Sequence, residues 1–509
     1  MSPPLSRRAS RTTRSRWLVL LLALAVPLQA ARAHGHLVKA EPAVDGHVVS
    51  IPTLLRLSFS EAPTPALSRI TLFDAAMQPV SLGAVAVDPK DGKTLLAAIT
   101  GKMAPGRYTV RWKIAGDDGH PVNGTFAFTV DASPAASVAV GSVETPMFDA
   151  SSPAYVTIRA VQFVSIVLLI GVLTLHVAVL PRLAKAGRGE AAYYAEARRR
   201  SEPWAGGALW AFGVATIARL AAQHVALFGT DARWGTETTG ALLFQSLWGR
   251  VWIVAVVGTV IGLWGVRRLA AGRRSGWWMY GAATLALIGT LSFSGHPAAA
   301  ANRALALAVD ALHVLSAGGW VGSLAALMVA AIPATIVVND ERRHQVVAAV
   351  VSEFSILALV FALLLTVTGV IAGWRNIGSW TALLHSTYGQ LLALKLTVLS
   401  VVAGTGAYNW RRVLPVLGTA PATARLRRSA GVELVAAMVV LGITAVLVAT
   451  PMPMESISMA SMASMASVGS VASRQATYAG SEPPTATAVV GSNAQLARSS
   501  DGNSGRRYR

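Results

Sequence analysis

"GRYTVRWKIAGDDGHPVNGTFAFTV" (residues 106–130) alternates apolar and polar residues on both sides of one polar stretch. Tyr108, Val110 and Trp112 fall on one face of the first run, and Phe126, Phe128 and Val130 on one face of the second. Successive side chains of a strand point to opposite faces. A period of two in aromatic and β-branched residues therefore predicts two half-buried strands of an antiparallel pair. "DDGHPVNG" between them has the composition of a turn.

Working outward, Leu55, Leu57 and Phe59, then Ile70 and Leu72, repeat the alternation, and "DPKDGK" and "APG" punctuate it. Residues 34–131 are thus expected to form a small antiparallel β-sandwich of about a hundred residues. "DASPAASVAVGSVETP" follows, and residues 132–154 read as a small-residue linker.

The rest of the chain belongs to another solvent. Of 509 residues, 53% are hydrophobic and only 13% charged, and the mean hydropathy is +0.51, which is too apolar for a single water-soluble globule. Eight apolar spans are expected within 155–450, at about 155–180, 204–228, 248–267, 277–296, 305–333, 351–373, 389–410 and 431–450. The formal charge of +20 lies in arginines between these runs, and no nucleic-acid-binding motif accompanies it. Arg182, Lys185 and Arg198–Arg200, then Arg267, Arg268, Arg273 and Arg274, then Arg342 and Arg343, then Arg411, Arg412, Arg425, Arg427 and Arg428 fill alternate connections. The positive-inside rule puts those connections in the cytoplasm, so the sandwich and the C-terminal tail are both expected outside, on a bacterial inner membrane.

Residues 1–33 agree independently. Arg7, Arg8, Arg11, Arg14 and Arg16 precede a short apolar core, Trp17–Val26, and then Ala31-Arg32-Ala33. That is the order of a cleavable secretory signal, and the core is about half the length a spanning helix needs. Cleavage after Ala33 makes His34 the amino terminus.

The chain has no cysteine, so thiolate sites and disulfides are excluded and a metal must be held by nitrogen, oxygen or thioether ligands. Asp118 and His120 are two residues apart; on an extended segment both project to one face. A terminal His34 adds an amine and a ring Nδ1 that close a chelate, and an amine of pKa about 7.7 releases its proton to a metal near neutral pH. Nitrogen-rich ligands with one carboxylate in a tetragonal plane suit Cu(II). Read alone, Asp118 and His120 are equally the makings of a polar turn. The tail, 451–509, is rich in Ser, Ala, Gly and Thr and is expected to be disordered. It carries Met452, Met454, Met459, Met462 and Met465, thioethers of the kind that bind Cu(I).

"HGHLVKAEPAVDG", "LRLSFSEAP" and the opening stretch together resemble the CopC family of periplasmic copper-binding proteins. "SGHP", "DALHVLSAGGWVG", "TYGQLLALKL" and "YNW" resemble the CopD family of copper-resistance membrane proteins. The chain thus looks like a CopC–CopD fusion over about 34–450. The resemblance implies a cupredoxin-like, Ig-like Greek-key sandwich followed by an all-α membrane bundle of eight helices. It also implies Cu(II) ligation at the positions matching His34, Asp118 and His120, with Glu61 near the metal in some members. His36 and His47 are secondary candidates. The methionine-rich Cu(I) loop of some relatives has little counterpart here, since the sandwich holds only Met77 and Met103.

Ionisable residues inside a membrane are costly and so mark function by default. His224, His296, Asp310, His313 and Lys395 all fall in the outer half. Asp310 and His313, spaced i and i+3, share a helix face, so the carboxylate is expected to orient the imidazole. His296, Asp310 and His313 are the expected membrane copper site; interhelical bonding is the other use open to such residues. His176 lies near the inner end of the first span, and Arg159, Arg219, Glu353 and Glu433 are expected to pair with one another or with lipid headgroups.

The expected function is capture of Cu(II) outside and passage of copper into or across the membrane, without enzymatic chemistry. Its expected partners are copper ions, membrane lipid and periplasmic copper donor proteins, with no nucleic acid. No P-loop or other nucleotide-binding motif is present. The first rival class is a membrane electron-transfer protein carrying haem b or copper, because histidines on neighbouring helices also ligate haem; the second is an oxidative enzyme, because an amino-terminal histidine with another histidine on copper is also the arrangement of copper oxygenases.

Overall fold

The computed structural model describes residues 36–116, 121–130, 152–230, 232–293 and 302–450. His34, Asp118, His120, His296 and the five tail methionines lie outside these residues.

The first part is a two-sheet sandwich. Its strands are β1 (Leu37–Glu41), β2 (His47–Val48), β3 (Leu54–Phe59), β4 (Arg69–Phe73), β5 (Pro79–Val80), β6 (Ala86–Asp88), β7 (Asp91–Ala98), β8 (Gly106–Ala115) and β9 (Pro121–Val130). One sheet has the order β1-β3-β7-β6 and the other β2-β9-β8-β4-β5. Every residue singled out for its alternation faces the core: Leu55, Leu57, Phe59, Ile70, Leu72, Tyr108, Val110, Trp112, Phe126, Phe128 and Val130 are all buried in one cluster. Phe59 and Trp112 meet edge to face at 5.2 Å and join the two sheets.

One expectation needs correcting. β9 begins at Pro121, and its ladder with β8 runs from Gly106↔Val130 to Ala115↔Pro121. "PVNG" is therefore strand, not turn. Proline is tolerated as the first residue of a strand, and Gly124 is there because Trp112 lies across its Cα, leaving no room for a Cβ. A methyl group at Gly124 must displace a buried indole. Gly124→Ala is expected to destabilise the sandwich by about 1–3 kcal/mol, measured as a lower temperature of onset for proteolysis of residues 37–130 in the intact protein.

The second part consists of helices α1 (Pro153–Lys185), α2 (Ala191–Phe228), α3 (Leu247–Ala270), α4 (Ser275–Ser292), α5 (Arg303–Val337), α6 (Asp340–Ile377), α7 (Thr387–Val416) and α8 (Ala420–Ala449). "AGGWVG" explains how α5 packs. Gly318 lies on Ile170, Gly319 on the Phe361 ring, and Gly322 directly on the α1 backbone at Val167 and Gly171. Small residues let helix backbones approach closely where there is no water to drive association.

Seven of these helices, all but α4, are long and apolar enough to cross a membrane, against the eight spans expected. The described part of α4 has 18 residues, about 27 Å at 1.5 Å per residue, a little under the roughly 30 Å of a hydrocarbon core. Its Trp277, Trp278, Tyr280, Thr284 and Thr290 also dilute its hydropathy.

Candidate copper sites

Hydrogen bonds knit one corner of the sandwich from four separate segments. At the start of β1 the His36 N–H donates to Ser60 Oγ (3.0 Å), and the Ser60 N–H returns a bond to the His36 carbonyl (2.9 Å). Lys93 Nζ donates to the Ser60 carbonyl (2.9 Å). Glu61 comes next, half-buried, with its Oε1 enclosed. Three residues further on, the Thr64 N–H donates to the Ala115 carbonyl (2.9 Å) at the end of β8, opposite Pro121 at the start of β9.

Residues 36, 61, 115 and 121 are thereby held at one end of the sandwich. His34 is two residues from His36, within about 7 Å of chain. Asp118 is three from Ala115, within about 11 Å, and His120 is bonded to Pro121. The described neighbours of the expected ligands, His36, Ala115 and Pro121, thus share one corner. His47 is elsewhere: it is exposed and pairs with Thr129, which itself pairs with Arg107 at the far end of β8.

In the helices, His313 on α5 approaches α6. Its Nδ1 is 2.9 Å from Thr368 Oγ1, and the Thr368 hydroxyl spends its single proton on the Leu364 carbonyl (2.7 Å). Thr368 therefore accepts from His313. With the proton on Nδ1, the neutral ring keeps its lone pair on Nε2, the form that ligates a metal. Gly369 leaves room for the ring, since a Cβ there would stand 3.3 Å from Cε1.

The i, i+3 spacing thus misassigned the orienting group. Asp310 hydrogen-bonds Ser292 on α4, within electrostatic reach of Arg159 and Lys395, while Thr368 holds the imidazole. One of two threonines in an apolar helix carries no sequence signal, and neither does Gly369.

His224, buried near the C-terminal end of α2, has both nitrogens engaged. Nε2 lies 3.4 Å from the Ala232 carbonyl and Nδ1 3.1 Å from Thr239 Oγ1, with the ring stacked on Trp234 at 4.1 Å. It pins the connection between α2 and α3. His176 sits in a widened turn of α1 with Nε2 2.6 Å from Ser201 Oγ and its ring 4.6 Å from Trp277. Glu433 accepts from Asn409 Nδ2 (2.6 Å), and Arg219 lies over Trp248 with Tyr155 Oη at 3.5 Å. Among the described residues no three His, Asp or Glu side chains converge as a ready metal cage.

Comparison with known proteins bears on both parts. Residues 37–131 match the CopC domain family, residues 147–304 the N-terminal domain of copper resistance protein D-like proteins, and residues 348–447 copper resistance protein D. The copper transport protein CutJ of Bacillus subtilis (strain 168) is 24% identical over 400 residues, covering 76% of this chain and 70% of CutJ. Copper resistance protein C of Xanthomonas campestris pv. juglandis is 33% identical over 117 residues, 22% of this chain and 91% of that protein. The crystal structure of CopC from Methylosinus trichosporium OB3b shares 32% identity over 19% of this chain and 94% of its own, at a TM-score of 0.18. The sandwich matching one family and the helices the other, this chain belongs to the CopC and CopD copper-resistance families, joined in a single polypeptide.

Proposed function

We propose that the protein captures Cu(II) outside the cell on His34, Asp118 and His120, with Glu61 beside them, and passes copper inward through a site at His296, Asp310 and His313. The observation that carries this reading is the corner where His36, Ser60, Thr64, Ala115 and Pro121 are hydrogen-bonded or paired into one end of the sandwich, with Glu61 beside Ser60 in the chain. Three chain segments that share little else in sequence converge there. An imidazole held in place by Thr368 of the neighbouring helix supports the inner site.

The reading includes a cleaved signal at 1–33, a linker at 132–154, and a membrane domain at 155–450 that crosses eight times. α4 supplies the eighth crossing. It runs back along α3, with Gly258 against Leu287, Gly262 against Ala283 and Gly265 against Tyr280, so it traverses much of the depth that α3 traverses. Eight crossings put the sandwich and the tail 451–509 on the same, extracytoplasmic side, where Met452, Met454, Met459, Met462 and Met465 are available to Cu(I).

Cells expressing the protein are expected to accumulate several-fold more copper than cells lacking it on the same medium, measured by elemental analysis of washed cells. Unchanged copper together with a Soret band in the purified protein would replace transport by haem-based electron transfer.

A further inference from the structure

β8 breaks its own alternation at its last residue. Arg107, Thr109, Arg111 and Lys113 point away from the sandwich core, interleaved with buried Tyr108, Val110, Trp112 and Ile114. Ala115 continues the outward series and is nonetheless fully buried. Its cover comes from the helices. Ala115 and Leu67 share an apolar cluster with Leu227 at the end of α2, Leu242 in the short helix Ala241–Gln245, and Trp248 at the start of α3. Beside them Lys113 Nζ donates to the Ala226 carbonyl. That carbonyl is among the last four of α2, which have no partner within the helix, and a cation there also complements the helix dipole. Lys113 is half-buried by this contact, and burial pushes its ammonium pKa down.

The contact touches the copper corner on one side and the bundle interior on the other. Ala115 is the residue that Thr64 and Pro121 hold in the Glu61 corner. Trp248 also walls a small cavity whose lining includes Gln162, Thr216, Arg219 and Thr290 beside Val251 and Leu291, and Thr290 is two residues from Ser292, the partner of Asp310. His224, with both nitrogens bonded into the α2–α3 connection, braces the platform on which the sandwich sits.

We propose that the sandwich is docked on the bundle and not merely tethered to it, and that Leu67, Lys113 and Ala115 form the surface across which a copper ion is handed over within one molecule. What is handed over rests on the copper-capture reading above; the docking does not.

Because the chain has no cysteine, introduced pairs report on it cleanly. The full-length protein in membranes would carry Leu67→Cys with Leu242→Cys and a protease site inserted within residues 132–151, and be oxidised free of copper. The cut chain is expected to stay one band until reduced. A control pair, Val49→Cys with Leu242→Cys, uses an exposed residue beside β2, remote from the corner, and is expected to separate. In vesicles, the double variant L67D/K113A is expected to keep the Cu(II) affinity of the sandwich while moving copper inward about tenfold more slowly. The loss is bounded because a tether alone still presents the sandwich at about millimolar effective concentration.

Fragments of the Leu67 and Leu242 pair that separate without reduction would overturn the docking. Copper movement by L67D/K113A at the unmodified rate would overturn the hand-off. Vesicles of the unmodified protein that take up no copper would instead retire the uptake reading, with the cross-link still deciding the docking.

Discussion

One glycine inserted between Ala33 and His34 is expected to lower the Cu(II) affinity of the exported protein about a hundredfold or more, a loss of at least ~2.7 kcal/mol. The variant keeps every side chain of the proposed site. What changes is the nitrogen of His34, which becomes an amide, and the free amine, which moves away by up to about 3.6 Å. An amine near its pKa gives up a proton to Cu(II) readily, whereas an amide does so far less readily. His120→Ala, which removes a ring nitrogen outright, is expected to cost about as much. Competition titration of the purified full-length protein against a Cu(II) chelator reads both losses, after mass spectrometry has placed the mature terminus at His34 or at the added glycine. Equal affinity of the glycine-extended and unextended proteins would remove the terminal amine from the site, and an intact Ala33–His34 bond in the exported protein would remove its premise.

The sandwich was legible in the sequence because half-buried strands obey one local rule. Every apolar residue picked out by period two is buried, since each strand has one face on the shared core and one away from it. Ala115 departs from that rule for a reason no local pattern contains, namely cover supplied by helix ends more than a hundred residues away. Gly124 was misread for a related reason. Glycine in a polar stretch signals a turn, but here it answers to Trp112 on the neighbouring strand. In the bundle the helices were easy to place from hydropathy. The eighth span met a length and composition that fall just short, because α4 packs along α3 and carries aromatic and hydroxyl residues. Candidate ligands were likewise visible as rare ionisable residues in apolar runs, while the groups that orient them were not. Thr368 and Ser292 are ordinary members of their helices until the fold sets them against His313 and Asp310.

At the proposed membrane site, His313→Ala and His296→Ala are each expected to abolish inward copper movement while leaving the proposed Cu(II) capture by the sandwich unchanged. The sandwich is built on other residues, so a loss confined to movement separates a ligand role from misfolding. Thr368→Val is the finer probe. It keeps the volume of the side chain and the imidazole itself, but removes the acceptor that holds the proton on Nδ1. The ring can then rotate or adopt the tautomer that occupies Nε2. Partners that orient a metal-ligating histidine are typically worth about 10–100-fold, so movement is expected to slow within that range and not to stop. Asp310→Asn is expected to give a partial defect of a different origin. It removes the negative charge facing Arg159 and Lys395, so an incoming cation meets an uncompensated positive field in a low-dielectric interior. Vesicles loaded with a copper-sensitive dye measure all four variants on one scale. Normal rates in both histidine variants would reduce these residues to interhelical glue. A Thr368→Val rate equal to that of the unmodified protein, beside a dead His313→Ala, would mean that His313 acts without needing a fixed tautomer.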